Sequence, residues 1–280
     1  MKNFIQLEDY QAAYTVTGTG KPLILLHGFF GDAWTLNNLV EELKSEFQCF
    51  NLELLGFGDS AKPKINYLIS DQVVFLQSFI EALALEDYYL VGYSYGAWVA
   101  SAYAIAAGRG DFSSTLNSIA LLAPTGIRDD SFTGRYDHLK PLLWETPIVD
   151  WAIAALRPMM AIAGQKDYFE TIVQARNAMM SQPAAAAFLK SRLRPEDAVD
   201  TVEQELHHVQ CLSLVLAAGN DKHIPFWHCE TYQEKISNAQ LFKIENADHD
   251  FVQTHSTEIA HILRTNFKQS APAQTMMQRD

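Results

Sequence analysis

Short apolar runs alternate along this chain with longer stretches in which apolar residues recur every three or four positions. The short runs are typical of buried strands, and the periodic stretches are typical of helices that pack one face against a sheet. The predicted strands span residues 10–16, 22–26, 47–54, 88–91, 116–122, 211–221 and 240–245, with a hairpin turn at 17–20 between the first two. Helices are predicted at 34–44 and 97–107. Two more are predicted, one with Asp71 as its N-cap and one that follows Ser256. This alternation predicts an α/β protein with a mostly parallel sheet and helices on both faces.

The alternation breaks between residues 123 and 210, where strand patterns disappear and helical patterns continue. Helices are predicted at 149–163, 167–180 and 184–193, and from Pro195 to near His207. The expected division of the chain is an α/β core at 1–125 and 210–268, a helical insertion at 126–209 and a disordered polar tail at 269–280.

The insertion is rich in methionine and large apolar residues, which are adaptable enough to line an apolar substrate cavity. They would serve equally well as a small core of the insertion itself. We expect only about a third of them to face a cavity, because a pocket uses few residues of any domain. The residues concerned are Trp144, Trp151, Leu156, Met159, Met160, Phe169, Met179 and Met180.

A serine flanked by glycines follows the predicted strand at 88–91. The sequence at 92–96 reads Gly-Tyr-Ser-Tyr-Gly, and an alanine-rich helix follows it. In a sharp strand-to-helix turn of this kind the serine backbone is strained, only small residues fit nearby, and Oγ is exposed at the edge of the sheet. The N-terminus of the next helix then faces the negative charge that develops during attack. The pattern predicts Ser94 as a nucleophile.

Two further residues complete a candidate triad, and each comes just after a predicted strand. Asp221 ends the apolar run that begins at Cys211, and His249 lies in the loop after the last strand. Open α/β sheets build their sites at the carboxyl ends of strands. The chain order Ser94, Asp221, His249 differs from the orders in chymotrypsin and subtilisin and matches that of α/β-hydrolases. We therefore expect His249 to act as the base and Asp221 to orient it.

The loop after the second predicted strand reads His-Gly-Phe-Phe-Gly and predicts an oxyanion hole. The backbone N–H groups of Phe29 and Tyr95 would hold the oxyanion. Each donor would stabilise the transition state by about 3 kcal/mol. Gly28 and Phe30 flank the first donor and are expected to contact substrate. His27 is expected to order the loop rather than to transfer protons, because it lies at the strand end beside Gly28.

Together with the sequence Leu-Leu-Gly-Phe-Gly-Asp-Ser at 54–60, these motifs resemble the α/β-hydrolase superfamily over about residues 10–268. The run at 56–60 resembles the loop after strand four in the branch that contains epoxide hydrolases, dehalogenases, C–C hydrolases and esterases. The resemblance implies an α/β-hydrolase fold, with a mostly parallel eight-stranded sheet, and Ser-His-Asp chemistry. It also implies that the insertion at 126–209 is a helical cap over the site.

Departures from individual relatives narrow the choice of substrate. Epoxide hydrolases and haloalkane dehalogenases carry an aspartate where this chain has Ser94, which cannot form their alkyl-ester intermediate. C–C hydrolases usually have a smaller, glycine-rich oxyanion loop than one with Phe29 and Phe30. The similar synthase of menaquinone biosynthesis normally has an arginine four residues after the serine, where this chain has Trp98, which weakens the case for a dianionic substrate. Family members commonly have glycine before the catalytic histidine, where this chain has Asp248.

Two more residues are candidate substrate contacts. Trp98 lies four residues after Ser94, so the two side chains could share a helix face at the floor of a pocket. The other interpretation is that the indole packs beneath the sheet as a core residue. Arg128 follows the strand after the nucleophile, where some hydrolases place a substrate anchor. The aspartates at 129–130 are alternative triad acids that rank behind Asp221.

Composition limits the class of partner. The formal net charge of −12 disfavours binding to nucleic acid or to an anionic membrane. The N-terminal residues include acids where a signal peptide needs an apolar core, and no apolar run approaches the ~18 residues that span a bilayer. The three cysteines include no C-x-x-C pair and suit reduced thiols. We expect a cytoplasmic protein with a small-molecule substrate, with neither nucleic acid nor membrane as partner, and no oligomeric state is predicted.

Neither a metal nor another cofactor is expected. The histidine pair at 207–208 lacks the spacing of metal ligands and is expected at a solvated helix end. His223, His228 and Cys229 are close together in sequence, but they follow the triad acid and are expected on the outer rim.

The predicted function is hydrolysis of a small to medium, partly apolar carboxylic ester, thioester or lactone through an acyl-enzyme. Two alternatives stay open. The same triad could cleave a C–C bond or eliminate a group, as the C–C hydrolases and the menaquinone-pathway synthase do, with His249 deprotonating the substrate. Hydrolase folds also serve as non-catalytic small-molecule receptors, which need not keep an activated serine.

Overall fold

The structure, a computed structural model, describes residues 1–129, 146–191 and 200–267. Its strands are β1 (Lys2–Gln6), β2 (Gln11–Thr17), β3 (Lys21–Leu26), β4 (Phe47–Leu52), β5 (Asp87–Tyr93), β6 (Thr115–Leu122), β7 (Leu212–Ala218) and β8 (Ala239–Ile244). Its helices are α1 (Asn37–Leu43), α2 (Ile69–Ala82), α3 (Tyr95–Arg109), α4 (Pro147–Ile162), α5 (Lys166–Ser181), α6 (Pro183–Ser191), α7 (Phe226–Lys235), α8 (Phe251–Thr254) and α9 (Ser256–Phe267). The predicted tail at 269–280 and Trp144 lie outside the described residues.

The strands of the described residues form one open sheet of eight strands in the order β1-β2-β4-β3-β5-β6-β7-β8. β2 pairs antiparallel with β1 and β4, and all other neighbours are parallel. This confirms the mostly parallel eight-stranded sheet. The predicted hairpin between the first two predicted strands, β2 and β3, is wrong, because β4 lies between these strands in the sheet. The segment at 17–20 is therefore a crossover connection.

Side chains alternate between two hydrophobic layers, one on each face of the sheet. On β3, Ile24 and Leu26 belong to the layer that includes α2, α3 and α7. Leu23 and Leu25 belong to the layer that includes α1, α8 and α9. A strand that is buried on both faces needs apolar residues at every position, which explains why the central strands appear in the sequence as continuous apolar runs.

Several helix boundaries shift by two or three residues, and two predictions about helices are wrong. Asp71 is not the N-cap of α2, because the helix begins two residues earlier and Leu68 holds the cap position. The Asp71 carboxylate instead lies in the first turn and accepts a hydrogen bond from the Leu68 N–H at 2.7 Å. The helix predicted toward His207 is wrong for residues 200–205, which are not helical, and only a 3₁₀ helix at Leu206–His208 follows. Its predicted start at Pro195 lies outside the described residues.

Helices α4, α5 and α6 lie between β6 and β7 in the chain and are called the insertion helices below. The N–H of Val202 donates to the carbonyl oxygen of Gly126 at 2.9 Å, so the chain leaves and re-enters the core at neighbouring points. The large apolar residues of these helices differ in burial: Phe169 and Met179 are buried, Met160 and Met180 partly buried, and Trp151, Leu156 and Met159 exposed. Across the described ranges, no helix combines the length and apolar composition that crossing a bilayer requires.

Candidate active site

Ser94 occupies the turn between β5 and α3. Its φ of 52° and ψ of −113° lie outside the regions that residues with a side chain normally adopt. The Ser94 N–H donates to the carbonyl oxygen of Leu122 on β6 at 2.8 Å. Gly96 packs against the carbonyl groups of Leu26 and His27, and an added Cβ would collide with both. The surrounding backbone therefore holds the strained turn in place.

His249 joins Ser94 to Asp221 through two hydrogen bonds. Its Nδ1 lies 2.7 Å from Asp221 Oδ2, and its Nε2 lies 3.2 Å from Ser94 Oγ. Because an ionised carboxylate can only accept, Nδ1 carries the proton and Nε2 is left to accept from the Ser94 hydroxyl. The His249 side chain is 22% exposed, whereas that of Asp221 is 3% exposed. This geometry suits a nucleophile, a base and an orienting acid.

Asp221 accepts two further hydrogen bonds on its other oxygen. Oδ1 accepts from the N–H groups of His223 at 2.8 Å and Ile224 at 2.9 Å. Burial alone would raise the pKa of Asp221, but the hydrogen bond and charge of His249 and the two N–H donors together lower it below its ordinary value. The carboxylate is therefore held ionised, which favours positive charge on the imidazole.

The loops after β7 and β8 are tied together, so that Asp221 and His249 meet. The N–H of Asn220 donates to the carbonyl oxygen of Ala247 at 2.8 Å. Asn246 adopts a φ of 57°, a left-handed conformation that asparagine tolerates better than most residues. The loop that carries the histidine thus turns back toward the loop that carries the acid.

Tyr93 adds a link that the sequence analysis missed. Its hydroxyl donates to the carbonyl oxygen of His249 at 2.8 Å, and the two ring centroids are 5.3 Å apart. Burial raises the pKa of Tyr93, so the hydroxyl stays protonated and remains a donor. Because Tyr93 directly precedes Ser94, the end of β5 connects the nucleophile turn to the histidine loop.

The loop that carries Gly28 and Phe29 lies directly beside Ser94. A Cβ at Gly28 would lie 3.3 Å from Ser94 Cβ and closer still to the Tyr93 ring, so glycine permits this approach. Tyr95 begins α3, where backbone N–H groups are not used by the helix itself. The rings of Phe29 and Tyr95 are 6.0 Å apart. The structure therefore brings the predicted oxyanion residues together around Ser94.

His27 orders this loop from beneath. Its Nδ1 donates to the Gly28 carbonyl oxygen at 2.8 Å, and its Nε2 accepts from the Leu54 N–H at 3.1 Å. Burial lowers the pKa of His27, so the imidazole is neutral. A neutral imidazole has one donor and one acceptor nitrogen, and both are used here. This agrees with the prediction that His27 orders the loop rather than transfers protons.

A buried carboxylate, Glu53, supports the same loop and was not predicted. Its Oε1 accepts from the Ala33 N–H at 3.2 Å, and its Oε2 accepts from the Asp59 N–H at 2.6 Å. Lys2 Nζ lies 2.7 Å from Oε1 and balances the charge. Glu53 thereby joins the oxyanion loop to the glycine-rich run at 56–60. An acidic residue at the end of an apolar strand pattern is the signal that the sequence offers.

Five aromatic rings pack together where α6 meets the core, and they are called the aromatic cluster below: Phe29, Phe57, Tyr95, Trp98 and Phe188. The Phe188 ring centroid lies 5.0 Å from that of Phe29, 6.0 Å from Tyr95 and 6.1 Å from Trp98. Phe57 lies 6.2 Å from Phe29 and 5.6 Å from Tyr95. The core and an insertion helix thus form one apolar wall near the nucleophile, and Phe188 was not singled out from the sequence.

The other candidate substrate contacts lie in different environments. Trp98 is buried in the aromatic cluster, and its Nε1 donates to the carbonyl oxygen of Asp200 at 2.9 Å. This agrees with the interpretation of Trp98 as a core residue. The rings that it contacts belong to the aromatic cluster. Phe30 is 42% exposed, with its ring centroid 4.5 Å from that of Phe29. Arg128 is exposed on the loop after β6. Substrate contact by these three residues stays a prediction.

Asp129, an alternative triad acid, belongs to a different pair. Its Oδ2 lies 3.1 Å from Nε2 of His228, and both side chains are almost fully buried. Burial lowers the pKa of His228, and the opposing effect of Asp129 is smaller. The expectation of an outer-rim position is therefore wrong for His228 and also for Cys229, which is buried, whereas His223 is exposed. His249 is bonded to Asp221, as predicted, and Asp130 lies outside the described residues.

Cys49 and Cys229 are buried free cysteines. Burial raises the pKa of Cys49 and of Cys229 to about 12, so both thiols stay protonated. In the part of the chain that the structure describes, no three His, Cys, Asp or Glu side chains gather closely enough to hold a metal ion.

Residues 23–262 match a family model described as the alpha/beta hydrolase family. The match covers most of the chain and includes every residue of the candidate triad. The chain belongs to the alpha/beta hydrolase family.

Proteins similar to this alpha/beta hydrolase include an uncharacterized protein, a meta-cleavage product hydrolase and an esterase. An uncharacterized protein of Mycobacterium tuberculosis is 26% identical over 167 residues, which are 58% of this chain and 46% of that protein. A meta-cleavage product hydrolase from Pseudomonas fluorescens has a TM-score of 0.74 at 20% identity, over 96% of this chain and 98% of that one. A thermophilic esterase from Thermogutta terrifontis has a TM-score of 0.72 at 22% identity, over 96% and 99%.

These similarities support the fold and membership of the hydrolase family. They do not identify a substrate. The solved structures share the fold at low identity, and they include both esterases and meta-cleavage product hydrolases. The chain spans less than half the length of the curated relatives that it matches.

Proposed function

We propose that this alpha/beta hydrolase cleaves small to medium carboxylic esters through an acyl-enzyme on Ser94. The observation that carries the proposal is the unbroken hydrogen-bonded series from Asp221 through His249 to Ser94. Thioesters and lactones present the same reacting carbonyl group and belong to the same substrate class. The aromatic cluster near the nucleophile favours substrates with an apolar group.

In the first half-reaction, Ser94 Oγ attacks the carbonyl carbon while its proton passes to His249 Nε2. Asp221 stabilises the resulting positive charge on the imidazole through the Nδ1–H hydrogen bond. The oxyanion is held by the N–H groups of Phe29 and Tyr95, at about 3 kcal/mol for each donor. His249 then gives its proton to the leaving alcohol oxygen as the C–O bond breaks, and the acyl group stays on Ser94.

In the second half-reaction, water replaces the alcohol. His249 Nε2 takes a proton from the water while the water oxygen attacks the acyl carbon, and the same N–H groups hold the oxyanion. Collapse of this intermediate releases the carboxylic acid and returns a proton to Ser94 Oγ. The partial exposure of the His249 side chain gives the alcohol and the water a route to Nε2.

A panel of nitrophenyl esters, thioesters and lactones tests the proposal, with Ser94→Ala and His249→Ala as variants. Each variant should lose nearly all turnover, and what remains should be no more than about 10³–10⁴-fold above the uncatalysed rate. Ser101→Ala is a matched control, because Ser101 is a buried serine on α3 bonded to Trp98 and Tyr232. A fluorophosphonate probe should label wild type and Ser101→Ala but not Ser94→Ala. Full activity of Ser94→Ala would refute the proposal.

The same panel separates the proposal from its two alternatives. A C–C hydrolase with this triad would be inert toward nitrophenyl esters and active on a vinylogous diketone. A receptor would bind its ligand without turnover and would leave Ser94 unlabelled by the fluorophosphonate probe.

A further inference from the structure

Phe188 is placed over the site by a helix that rests closely on the core. Ala184 and Ala185 of α6 are buried in the same hydrophobic cluster as the core residues around the glycine-rich run. Their small side chains let the helix backbone come close to the core. Ala184 and Phe188 are four residues apart and so lie on one face of α6. The face that approaches the core therefore carries the Phe188 ring.

Two of the three rings that Phe188 contacts belong to the residues whose N–H groups are the proposed oxyanion donors. The centroid distances are 5.0 Å to Phe29 and 6.0 Å to Tyr95. A second contact comes from the buried insertion residues Met179 and Leu189, which pack with Phe29. Apolar groups from α5 and α6 thus pack against the proposed oxyanion residues.

The two halves of an ester would lie in different surroundings in this site. The leaving alcohol must come within reach of His249 Nε2, because that atom protonates it. His249 is partly exposed, and its ring neighbours are Tyr93 and His223, which is itself exposed. The acyl group is the remaining substituent of the carbonyl carbon. It must lie elsewhere around Ser94, and the aromatic cluster is the apolar group beside the proposed oxyanion donors.

We propose that the Phe188 ring closes the end of the acyl-binding space, so that the enzyme prefers esters of short, unbranched carboxylic acids. This inference rests on the proposed ester hydrolysis and assigns its specificity to one residue of the insertion helices. Phe188 acts by excluding longer acyl chains and takes no part in proton transfer.

The test uses nitrophenyl esters with one leaving group and acyl chains from acetate to octanoate. Wild type should show kcat/KM falling as the chain lengthens beyond butyrate. In Phe188→Ala, the ratio of kcat/KM for hexanoate to that for acetate should rise at least about tenfold, the effect of one methylene group accommodated in an apolar pocket. Phe188→Leu removes less of the side chain, should fold even if the alanine variant does not, and should give an intermediate rise.

A matched control and a second series of substrates make the result specific. Phe169→Ala removes a buried phenylalanine from the neighbouring helix α5 and should leave the hexanoate-to-acetate ratio at the wild-type value. Acetate esters of progressively longer alcohols should keep their wild-type order in Phe188→Ala. A change in alcohol preference with no change in acyl preference would overturn the inference, as would an equal change in Phe169→Ala.

Failure of this inference can be told apart from failure of the proposed function. If wild type hydrolyses esters but both Phe188 variants keep its acyl-chain profile, the role of Phe188 is overturned and ester hydrolysis stands. If wild type hydrolyses no ester and does not react with a fluorophosphonate, both proposals are overturned.

Discussion

The three hydrogen bonds of Asp221 make the effect of Asp221→Asn predictable. Asparagine keeps the shape of aspartate but replaces one acceptor oxygen with a donor NH₂ group. The N–H groups of His223 and Ile224 both point at the Oδ1 position, so the amide oxygen must occupy it. The amide NH₂ group then faces Nδ1 of His249, 2.7 Å from the position of Oδ2. Two donors cannot face each other, so the imidazole moves its proton to Nε2.

The expected loss follows from this change of tautomer. With its proton on Nε2, the ring cannot accept the Ser94 proton across the 3.2 Å that separates the two atoms. The same substitution in the Ser-His-Asp template lowers kcat about 10⁴-fold, which is about 5.5 kcal/mol at ~1.36 kcal/mol for each factor of ten. The amide keeps all three hydrogen bonds but lacks the negative charge, so the free energy of unfolding should fall by no more than about 1.5–3 kcal/mol, the contribution of one hydrogen bond to a charged group. Asp221→Asn should therefore be folded and almost inactive.

The assay is kcat on the best nitrophenyl ester, beside a thermal melt and the rate of fluorophosphonate labelling. Asp129→Asn is the matched control, because Asp129 is a second buried aspartate near the site that is bonded to His228 instead. It should lose less than tenfold in kcat. If Asp221→Asn lost less than tenfold while Asp129→Asn lost a thousandfold or more, the assignment of the acid to Asp221 would be refuted.

Three further predictions concern groups around the triad. Tyr93→Phe removes the hydrogen bond to the His249 carbonyl and should lower kcat about tenfold. The free energy of unfolding, measured in urea, should fall by about 1 kcal/mol. Unchanged kinetics would show that Tyr93 does not position His249. Gly96→Ala should fail to fold or melt far below wild type, since the new Cβ meets two carbonyl groups, and a normal circular dichroism melt would contradict this. The pKa of His27 is lowered in the folded protein, so below about pH 6.5 the unfolded ring takes up a proton that the folded ring excludes. The contribution of His27 to the free energy of unfolding is therefore complete above about pH 6.5 and is lost as the pH falls. Melting temperatures from pH 7 to 5 should therefore fall less steeply in His27→Gln than in wild type, and equal slopes would contradict the prediction.

The arrangement of the candidate triad could be predicted because each of its residues is marked by a local signal. Ser94 lies between glycines after an apolar strand, and Asp221 and His249 each follow another strand. Parallel strands bring their carboxyl ends to one edge of the sheet. The order of the elements along the chain was therefore sufficient to bring the three residues together, and the structure adds their distances.

Contacts between residues far apart in sequence could not be predicted in this way. The hydroxyl of Tyr93 bonds a carbonyl group 156 residues away, and His228 pairs with an aspartate 99 residues away. Nothing in the neighbourhood of either residue marks its partner. The strand β1 was missed because it lies at the edge of the sheet and has no continuous apolar run. The hairpin at 17–20 was predicted wrongly because its glycines suit a tight turn, whereas the partner of β2 is decided by the whole sheet.

The hydrogen bond between Gly126 and Val202 has a consequence for how this enzyme could change during evolution. A segment whose two ends meet can grow, shrink or be exchanged without moving the strands on either side of it. Doubling the length of such a loop costs only about 0.6 kcal/mol in closure entropy, and domain insertion is tolerated where chain ends lie close together. Evolution can therefore exchange the helices of the insertion while the core and its candidate nucleophile are kept. Grafting residues 127–201 between the same two positions of a related hydrolase should transfer the acyl preference of this chain to that protein. The graft contains Phe188 but not Ser94, so the recipient keeps its own nucleophile.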